Sequence, residues 1–189
     1  MNLTIARSGQ TTLALLLALL MVATRFHHFG SATHLPDASL AVFFLGGFYL
    51  RRSALLGCYL AEAALIDYLA IAFGGVSDWC VTPAYAFLVP AYASLWLGGA
   101  WYARHHRMAW GTLVPFAGAV ALGVSAAFLI SNASFYFLSG YFPEMSWMEY
   151  AYRVARYFPP YASAAAAYIV LAAGLHVLAP RAGPRSQKA

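Results

Sequence analysis

The sequence predicts an all-α integral membrane protein, built as a bundle of six transmembrane helices. Of the 189 residues, 62% are hydrophobic and only 9% are charged, whereas soluble domains carry about 25% charged residues. The apolar residues fall into long runs, most of them near the ~20 residues that a helix needs to cross the hydrocarbon core. The net charge of +5 is therefore expected to reflect topology rather than binding to nucleic acid.

Six apolar runs, separated by polar or charged breaks, define the predicted helices. They are residues 11–26, 38–50, 54–73, 84–103, 110–130 and 148–178. The second run is short for a crossing, but Pro36 and Asp37 before it favour a helix start. The segment 131–146 is rich in aromatic residues, and we expect it to be a loop.

Basic residues decide between five and six spans. With six spans and both termini inside, most of them lie on the cytoplasmic side, among them Arg51, Arg52 and Arg104, as the positive-inside rule requires. Five spans would mix basic residues across the two sides. We therefore expect one domain over residues 1–180 and a short basic cytoplasmic tail over residues 181–189. The first run has no small-residue cleavage site after it, so we interpret it as a span rather than a signal peptide.

Cys80 lies in a short polar break that this topology places on the outer face. About 22 Å of helix, at 1.5 Å per residue, separates Cys58 from the outer end of its span. A disulfide needs Cα atoms within about 7 Å, so Cys80 is expected to be a free thiol in an oxidising compartment. It is either a small side chain packed under the loop or a metal-binding thiolate. Asp78 opposes acid–base activation, but a metal would itself stabilise the thiolate.

His27 and His28 end the first run on the same side. Adjacent histidines point about 100° apart on a helix, so both do not easily serve one metal. With Cys80 they are too few for a closed zinc site of four ligands. They suffice for one or two axial positions of a macrocycle that brings its own nitrogens, although an interfacial histidine pair is the alternative. The pair His105-His106 is expected to be an ordinary polar loop.

Two carboxylates, Glu62 and Asp67, lie within the third run. Carboxylates inside a membrane are costly and need a partner or a functional role. Asp67 lies at a depth similar to that of Arg153 in the last run, so we expect an ion pair that braces the bundle or lines a polar pocket. For Glu62 we expect an interhelical hydrogen bond.

The polar residues of the outer end resemble those of a known family. They are Arg25-Phe26-His27-His28-Phe29 after the first run, Asp78-Trp79-Cys80 after the third, and Asp67, Tyr85 and Arg153. In these residues and in its six short spans, the chain resembles the BtuM family. These are small proteobacterial membrane proteins assigned to vitamin B12 uptake and related to the substrate-binding S-components of energy-coupling-factor (ECF) transporters.

The resemblance implies a multi-pass protein of the bacterial inner membrane that holds cobalamin in a pocket on the periplasmic side. Cys80 would be an axial ligand of the cobalt, displacing the nucleotide base or an upper ligand such as cyanide, and His28 would be a second axial donor. The pocket is expected to be lined or braced by His27, Asp67, Trp79, Tyr85 and Arg153. The chain has no nucleotide-binding motif, so the protein would use a separate ECF-type ATPase module or work alone.

Two other functions fit the same residues. One is a haem or quinone oxidoreductase with its ligand on His27 or His28. It is disfavoured because a second axial histidine at matching depth is not expected, His34 being in a loop and His176 near the inner end. The other is a ligand-free scaffold subunit, in which the thiol and Asp67 would have no role. Enzymatic activity is expected only as thiol-dependent removal of cyanide.

Overall fold

A computed structural model describes residues 7–26 and 35–178, and the regular elements of this part are all helical. The α-helices are α1 Arg7–Arg25, α2 Ser39–Tyr49, α3 Ser53–Gly74, α4 Leu88–His105, α5 Leu113–Leu138 and α6 Trp147–Leu178. A 3₁₀ turn, Pro83–Phe87, precedes α4, and another, Trp110–Thr112, precedes α5. The described ranges thus confirm the predicted all-α class. The predicted tail, residues 181–189, lies outside them.

Four helices are long and apolar enough to cross a membrane: α1, α3, α5 with the turn before it, and α6. Their outer faces expose large aliphatic side chains, such as Leu15 and Leu19 of α1 and Leu171 and Leu175 of α6. Extended apolar surfaces of this kind are rare on soluble monomers. The surface and the helix lengths together indicate a membrane protein.

The shortest helix, α2, lies at the centre of the bundle. Residues Ser39–Phe48 are all buried, and α2 contacts each of the other five helices. At 1.5 Å per residue, α2 is only about 17 Å long. Because protein rather than lipid surrounds it, its length does not have to match the thickness of a bilayer.

Glycines bring α2 and α4 into backbone contact. A methyl group on Gly47 of α2 would overlap the carbonyl of Trp96, and one on Gly99 of α4 would overlap the carbonyl of Phe44. Small residues at helix interfaces allow this close approach in membrane proteins. The α2–α4 pair therefore forms the tightest part of the bundle interior.

Successive helices run in opposite directions. At one end, Arg25 at the end of α1 contacts Asp37 just before α2 and Tyr92 in the first turns of α4. At the opposite end, Tyr49 at the end of α2 contacts His176 near the end of α6. We call these the Cys80 end and the His176 end. The Cys80 end gathers Asp67, Trp79, Cys80 and Tyr85, which the sequence places on the outer side.

Helix α5 is longer than predicted, ending at Leu138 rather than Ile130. The polar residues that suggested a loop are accommodated within the helix. The hydroxyl of Ser131 donates to the carbonyl of Phe128, and that of Ser134 donates to the carbonyl of Ser131. Serine side chains that bond back to the preceding turn are compatible with helix, so only the later part of the segment 131–146 is a loop.

Candidate functional site

Arg25 is the centre of a buried polar network at the Cys80 end. Its side chain is 3% exposed. Nε donates to Oδ1 of Asp67 at 2.8 Å, and Nη2 donates to Oδ2 at 2.7 Å. This two-pronged pairing is the strongest geometry for an arginine and a carboxylate. It pairs a positive charge that would be costly to bury alone.

The remaining donor of Arg25, Nη1, ties the pair to two more helices. It lies 3.0 Å from Oγ of Ser39 in α2, 2.7 Å from the hydroxyl of Tyr92 in α4, and 3.3 Å from Oδ2 of Asp37. Asp37 in turn accepts a hydrogen bond from the backbone N–H of Ser39 at 2.8 Å. The network therefore fixes α1, α2, α3 and α4 relative to one another.

The predicted ion pair between Asp67 and Arg153 is wrong. Arg153 donates instead to Glu149, one turn earlier in α6, at 2.8 Å. Its guanidinium also lies over the rings of Tyr136 and Phe142, 5.4 and 5.2 Å from their centroids. The i,i+4 spacing on α6 makes Glu149 the local partner. The arginine that pairs with Asp67 is Arg25. The estimated depth of each residue along its helix did not identify this partner.

The predicted interhelical hydrogen bond of Glu62 is also wrong. Glu62 is half-buried in α3 and forms no hydrogen bond within the described part of the chain. The polar partners of α3 are gathered at its other end, around Asp67.

Tyr85 reaches the network from the 3₁₀ turn Pro83–Phe87, where the sequence predicted the start of α4. Its hydroxyl donates to Oδ2 of Asp67 at 2.7 Å. Burial raises the pKa of Tyr85, and the adjacent carboxylate of Asp67 raises it further. The phenol therefore stays protonated and remains a donor at physiological pH.

Cys80 lies in the connection between α3 and α4. Gly75 ends α3 in the left-handed conformation, with φ 68°, which glycine adopts without steric cost. The loop then turns on itself, as Val81 N donates to Asp78 O at 2.7 Å. Cys58 and Cys80 are both free, as predicted, and the Cys80 side chain is exposed.

The environment of Cys80 keeps its thiol protonated. Burial against the cavity wall raises the pKa of the Cys80 thiol, and the negative charge of Asp67 raises it further. The carboxylate that raises the pKa of Cys80 is thus Asp67 of the network, rather than Asp78, which lies two residues before Cys80 in the sequence. A cysteine in this setting is a poor free nucleophile, as the sequence also suggested.

A cavity of about 700 Å³ opens beside Cys80. This volume lies in the range of small-molecule sites, which bury an apolar ligand body against a few placed polar groups. The polar floor is formed by Arg25, Asp37, Asp67, Tyr85, Tyr92 and Ser131, and the apolar walls by Ile71, Val76, Val81, Ala84, Leu88 and Phe135, with Trp79 and Cys80 beside them. The Trp79 ring stacks on Tyr141 of the α5–α6 connection, with centroids 3.9 Å apart.

The structure brings together four of the predicted site residues. Cys80, Trp79, Asp67 and Tyr85 all line the cavity, whereas Arg153 does not. His27 and His28 lie outside the described residues, as does His34.

Tyr92 and Ser131 also line the cavity, and the sequence interpretation missed them. Tyr92 follows Tyr85 by seven positions, or about two helical turns. This spacing places side chains on one face of a helix, so it could have indicated that Tyr92 lies near Tyr85. Ser131 offered none, because its position depends on the unforeseen extension of α5.

The cavity offers one soft donor rather than a metal-binding cluster. Within the described ranges, no group of three or more histidine, cysteine, aspartate or glutamate side chains is placed to hold a metal ion. A single sulfur suits a metal that arrives with most of its coordination already filled, since the protein then supplies only an axial ligand.

Comparison of the chain with protein-family models finds no match, and comparison with curated proteins finds none either.

Proposed function

We propose that this protein binds cobalamin in the cavity at the Cys80 end and mediates its uptake, with the Cys80 sulfur as an axial ligand of the cobalt. The observation that carries the proposal is the position of the thiol. Cys80 is exposed at the wall of a cavity of about 700 Å³ that is otherwise largely apolar. A corrin needs apolar surface for its ring, hydrogen-bond partners for its peripheral amides and a donor on its axis.

The polar floor supplies the hydrogen-bond partners for the amides of the corrin. Tyr85, Tyr92 and Ser131 line it with hydroxyl groups, and Asp37 adds carboxylate oxygens. The Arg25 network holds Asp37, Tyr85 and Tyr92 in place, and the hydroxyl of Ser131 is held by the carbonyl of Phe128. These groups are therefore already oriented before a ligand arrives. Preorganisation of this kind lowers the entropic cost of binding.

The thiol suits displacement of a cobalt ligand once the substrate is bound. As the Co–S bond forms, the S–H bond breaks, the bond between cobalt and cyanide breaks, and the proton leaves with cyanide as HCN. Cobalt remains Co(III), so the exchange needs no oxidant or reductant. The metal stabilises the thiolate that the protein alone disfavours.

The proposal includes a topology of six spans with both termini in the cytoplasm and the Cys80 end facing the periplasm of a bacterial inner membrane. The alternating helix directions support this arrangement. The basic residues of the His176 end, including Arg51, Arg52, Arg104 and Arg107, support it as well.

Binding of cobalt-labelled cyanocobalamin by the purified protein tests the proposal. The wild type and Cys58→Ala are expected to retain about one cobalamin per protein through gel filtration, because Cys58 lies far from the cavity. Cys80→Ala is expected to lose most of it. A folded wild type that retains none would contradict the proposal and favour the ligand-free scaffold.

A further inference from the structure

A second cavity lies at the His176 end, far from Cys80. Its volume is about 310 Å³, and its lining residues come from the ends of α2, α4 and α6 and from the start of α5. The walls are mainly aromatic and aliphatic and include Phe48, Phe116 and Ile169. Exposed Met108 and Trp110 also line it. Its volume is large enough for a small flat molecule.

Two histidines in this cavity share one arrangement. The hydroxyl of Tyr49 lies 3.0 Å from Nδ1 of His176, and that of Tyr102 lies 2.9 Å from Nδ1 of His106. The two imidazole centroids are 5.2 Å apart. The prediction that His105-His106 is an ordinary polar loop is thus wrong for His106, which packs into the bundle end.

Hydrogen-bond accounting assigns the proton of His176. Within the described part of the chain, the Tyr49 hydroxyl has no acceptor other than Nδ1 of His176. Its proton is satisfied there only if it is donated to Nδ1, and unsatisfied donors are costly. The His176 imidazole then carries its proton on Nε2 and has no lone pair left for a metal ion. The same accounting gives no preference for His106, because a proton on its Nε2 would itself lack a partner.

The Nε2 atoms of His106 and His176 have different surroundings. Nε2 of His106 is sealed from solvent without a hydrogen-bond partner, and its ring packs edge to face with Phe48. His106 therefore lines the cavity without offering a polar atom to a ligand. Nε2 of His176 is not among the sealed atoms, and the His176 ring lines the cavity. His176 thus supplies the donor that remains for a ligand, and Arg107 adds positive charge to the same lining.

We propose that this cavity binds a flat, apolar ring system bearing an acceptor oxygen, the chemistry of a quinone headgroup, with that oxygen on Nε2–H of His176. The aromatic walls match the faces of such a ring, and the single donor fixes its orientation. This site is independent of the cobalamin proposal, because it shares no residue with the Cys80 cavity.

Binding of 1,4-naphthoquinone to the full-length protein in lipid nanodiscs tests the site. The quinone is expected to quench the fluorescence of Trp110, taken as the difference between the wild type and Trp110→Phe. His176→Phe keeps an aromatic ring but removes the donor, and it is expected to weaken binding about tenfold, the effect of losing one hydrogen bond. His105→Phe, next to His106 but outside the cavity, is expected to change nothing.

Two competitors identify the chemistry of the ligand. Naphthalene, which lacks the oxygens, is expected to displace the quinone poorly. 1-Naphthoate carries a carboxylate in place of a neutral carbonyl. If 1-naphthoate binds more tightly than 1,4-naphthoquinone, the quinone assignment is overturned. Equal binding to the wild type and His176→Phe, or displacement by naphthalene as strong as that by a second quinone, would show an unspecific apolar site and overturn the proposal.

The ¹⁵N chemical shifts of the histidine side chains give a readout that does not need a ligand. His176 is expected to show a protonated Nε2 and an unprotonated Nδ1. The opposite tautomer at His176 would leave a lone pair on Nε2 and would overturn the proposal.

Discussion

The Cys80 thiol is disfavoured as a thiolate by the residues that also build its cavity. Burial and the carboxylate of Asp67 both raise its pKa, so the protein alone holds a protonated thiol. This protects an exposed cysteine from adventitious oxidation. Under the proposed function, it would also make bond formation with cobalt depend on pH.

The rate of cobalt–sulfur bond formation is expected to rise with pH. Because the pKa of the thiol lies above its ordinary value, the thiolate fraction at neutral pH is small and grows about tenfold per pH unit. The rate at which cyanocobalamin changes its absorption when mixed with excess protein should follow the same slope until the pKa is reached. Cyanocobalamin alone at each pH is the control. A rate independent of pH across the neutral range would contradict the assignment of the free thiol as the reacting group.

Replacement of Arg25 is expected to destabilise the protein strongly. Arg25→Met removes the arginine that pairs with the buried carboxylate of Asp67, and breaking a buried pair in this way costs about 3–5 kcal/mol. Thermal unfolding in detergent measures the loss. Arg153→Gln removes an exposed arginine paired with Glu149 and is the matched control, with little expected change.

The double variant Arg25→Met/Asp67→Leu separates charge from packing. It removes both charges and is expected to recover part of the stability lost in Arg25→Met. If Arg25→Met alone proves as stable as Arg153→Gln, the network does not stabilise the bundle.

At the scale of single residues, the members of the candidate site were easier to predict than the side chains with which they pair. The sequence identified Cys80 and Asp67 because an isolated thiol and a carboxylate within an apolar run need explanation, and it identified Tyr85 through the family resemblance. It paired Asp67 with Arg153 because depth along a helix is all that spacing provides. The rotation of each helix about its axis decides which arginine faces Asp67, and that rotation depends on packing across the whole bundle.

The helix pair α2–α4 shows how the shortest apolar run is stabilised in the bundle. Lacking the length to span a bilayer, α2 is surrounded by protein, and glycines replace side chains where it meets α4. The hydropathy of the run predicted a helix but not its central position, because a fully apolar surface gives no preferred face.

Gly99→Ala is expected to destabilise the bundle by about 1–3 kcal/mol, since the added methyl overlaps the backbone of α2 and overpacking costs this much. Gly47→Ala should act in the same direction. Thermal unfolding of the purified protein measures both. Gly57→Ala on α3 is the control, because nothing lies within 4 Å of the added methyl. It should be neutral or slightly stabilising. Equal stability of all three variants would contradict the close packing of α2 against α4.

The extension of α5 past Ile130 has a different cause. Small polar and aromatic residues in this stretch are typical of a loop, but the serine hydroxyls bond within the helix. The added turns place Ser131 and Phe135 on the cavity wall. The error in the helix boundary therefore also hid Ser131 as a lining residue of the candidate site.

At the scale of the whole molecule, composition and run length predicted the helical class, because few charges and long apolar runs allow little else in a membrane. They did not predict the two cavities. The cavities depend on how six helix ends meet, and the histidine–tyrosine cluster at the His176 end draws residues from three separate helices.

Labelling with a membrane-impermeant maleimide tests the six-span topology in intact cells. Cys80 is expected to react from the periplasm. A cysteine introduced by Ser186→Cys, in a variant lacking the two native cysteines, should react only after the cells are opened. Cys58→Ala serves as the control for the first arm. Labelling of Ser186→Cys in intact cells would place the C-terminus outside and contradict the topology of six spans with both termini in the cytoplasm.

The visible absorption spectrum of the protein purified with cyanocobalamin tests the cobalt–sulfur bond most directly. The wild type and Cys58→Ala are expected to show a corrin band shifted from that of free cyanocobalamin, and Cys80→Ala an unshifted band or none. A shifted band in Cys80→Ala would show that another residue binds the cobalt. A colourless wild type that also fails to take up added cobalamin would contradict the cobalamin assignment altogether.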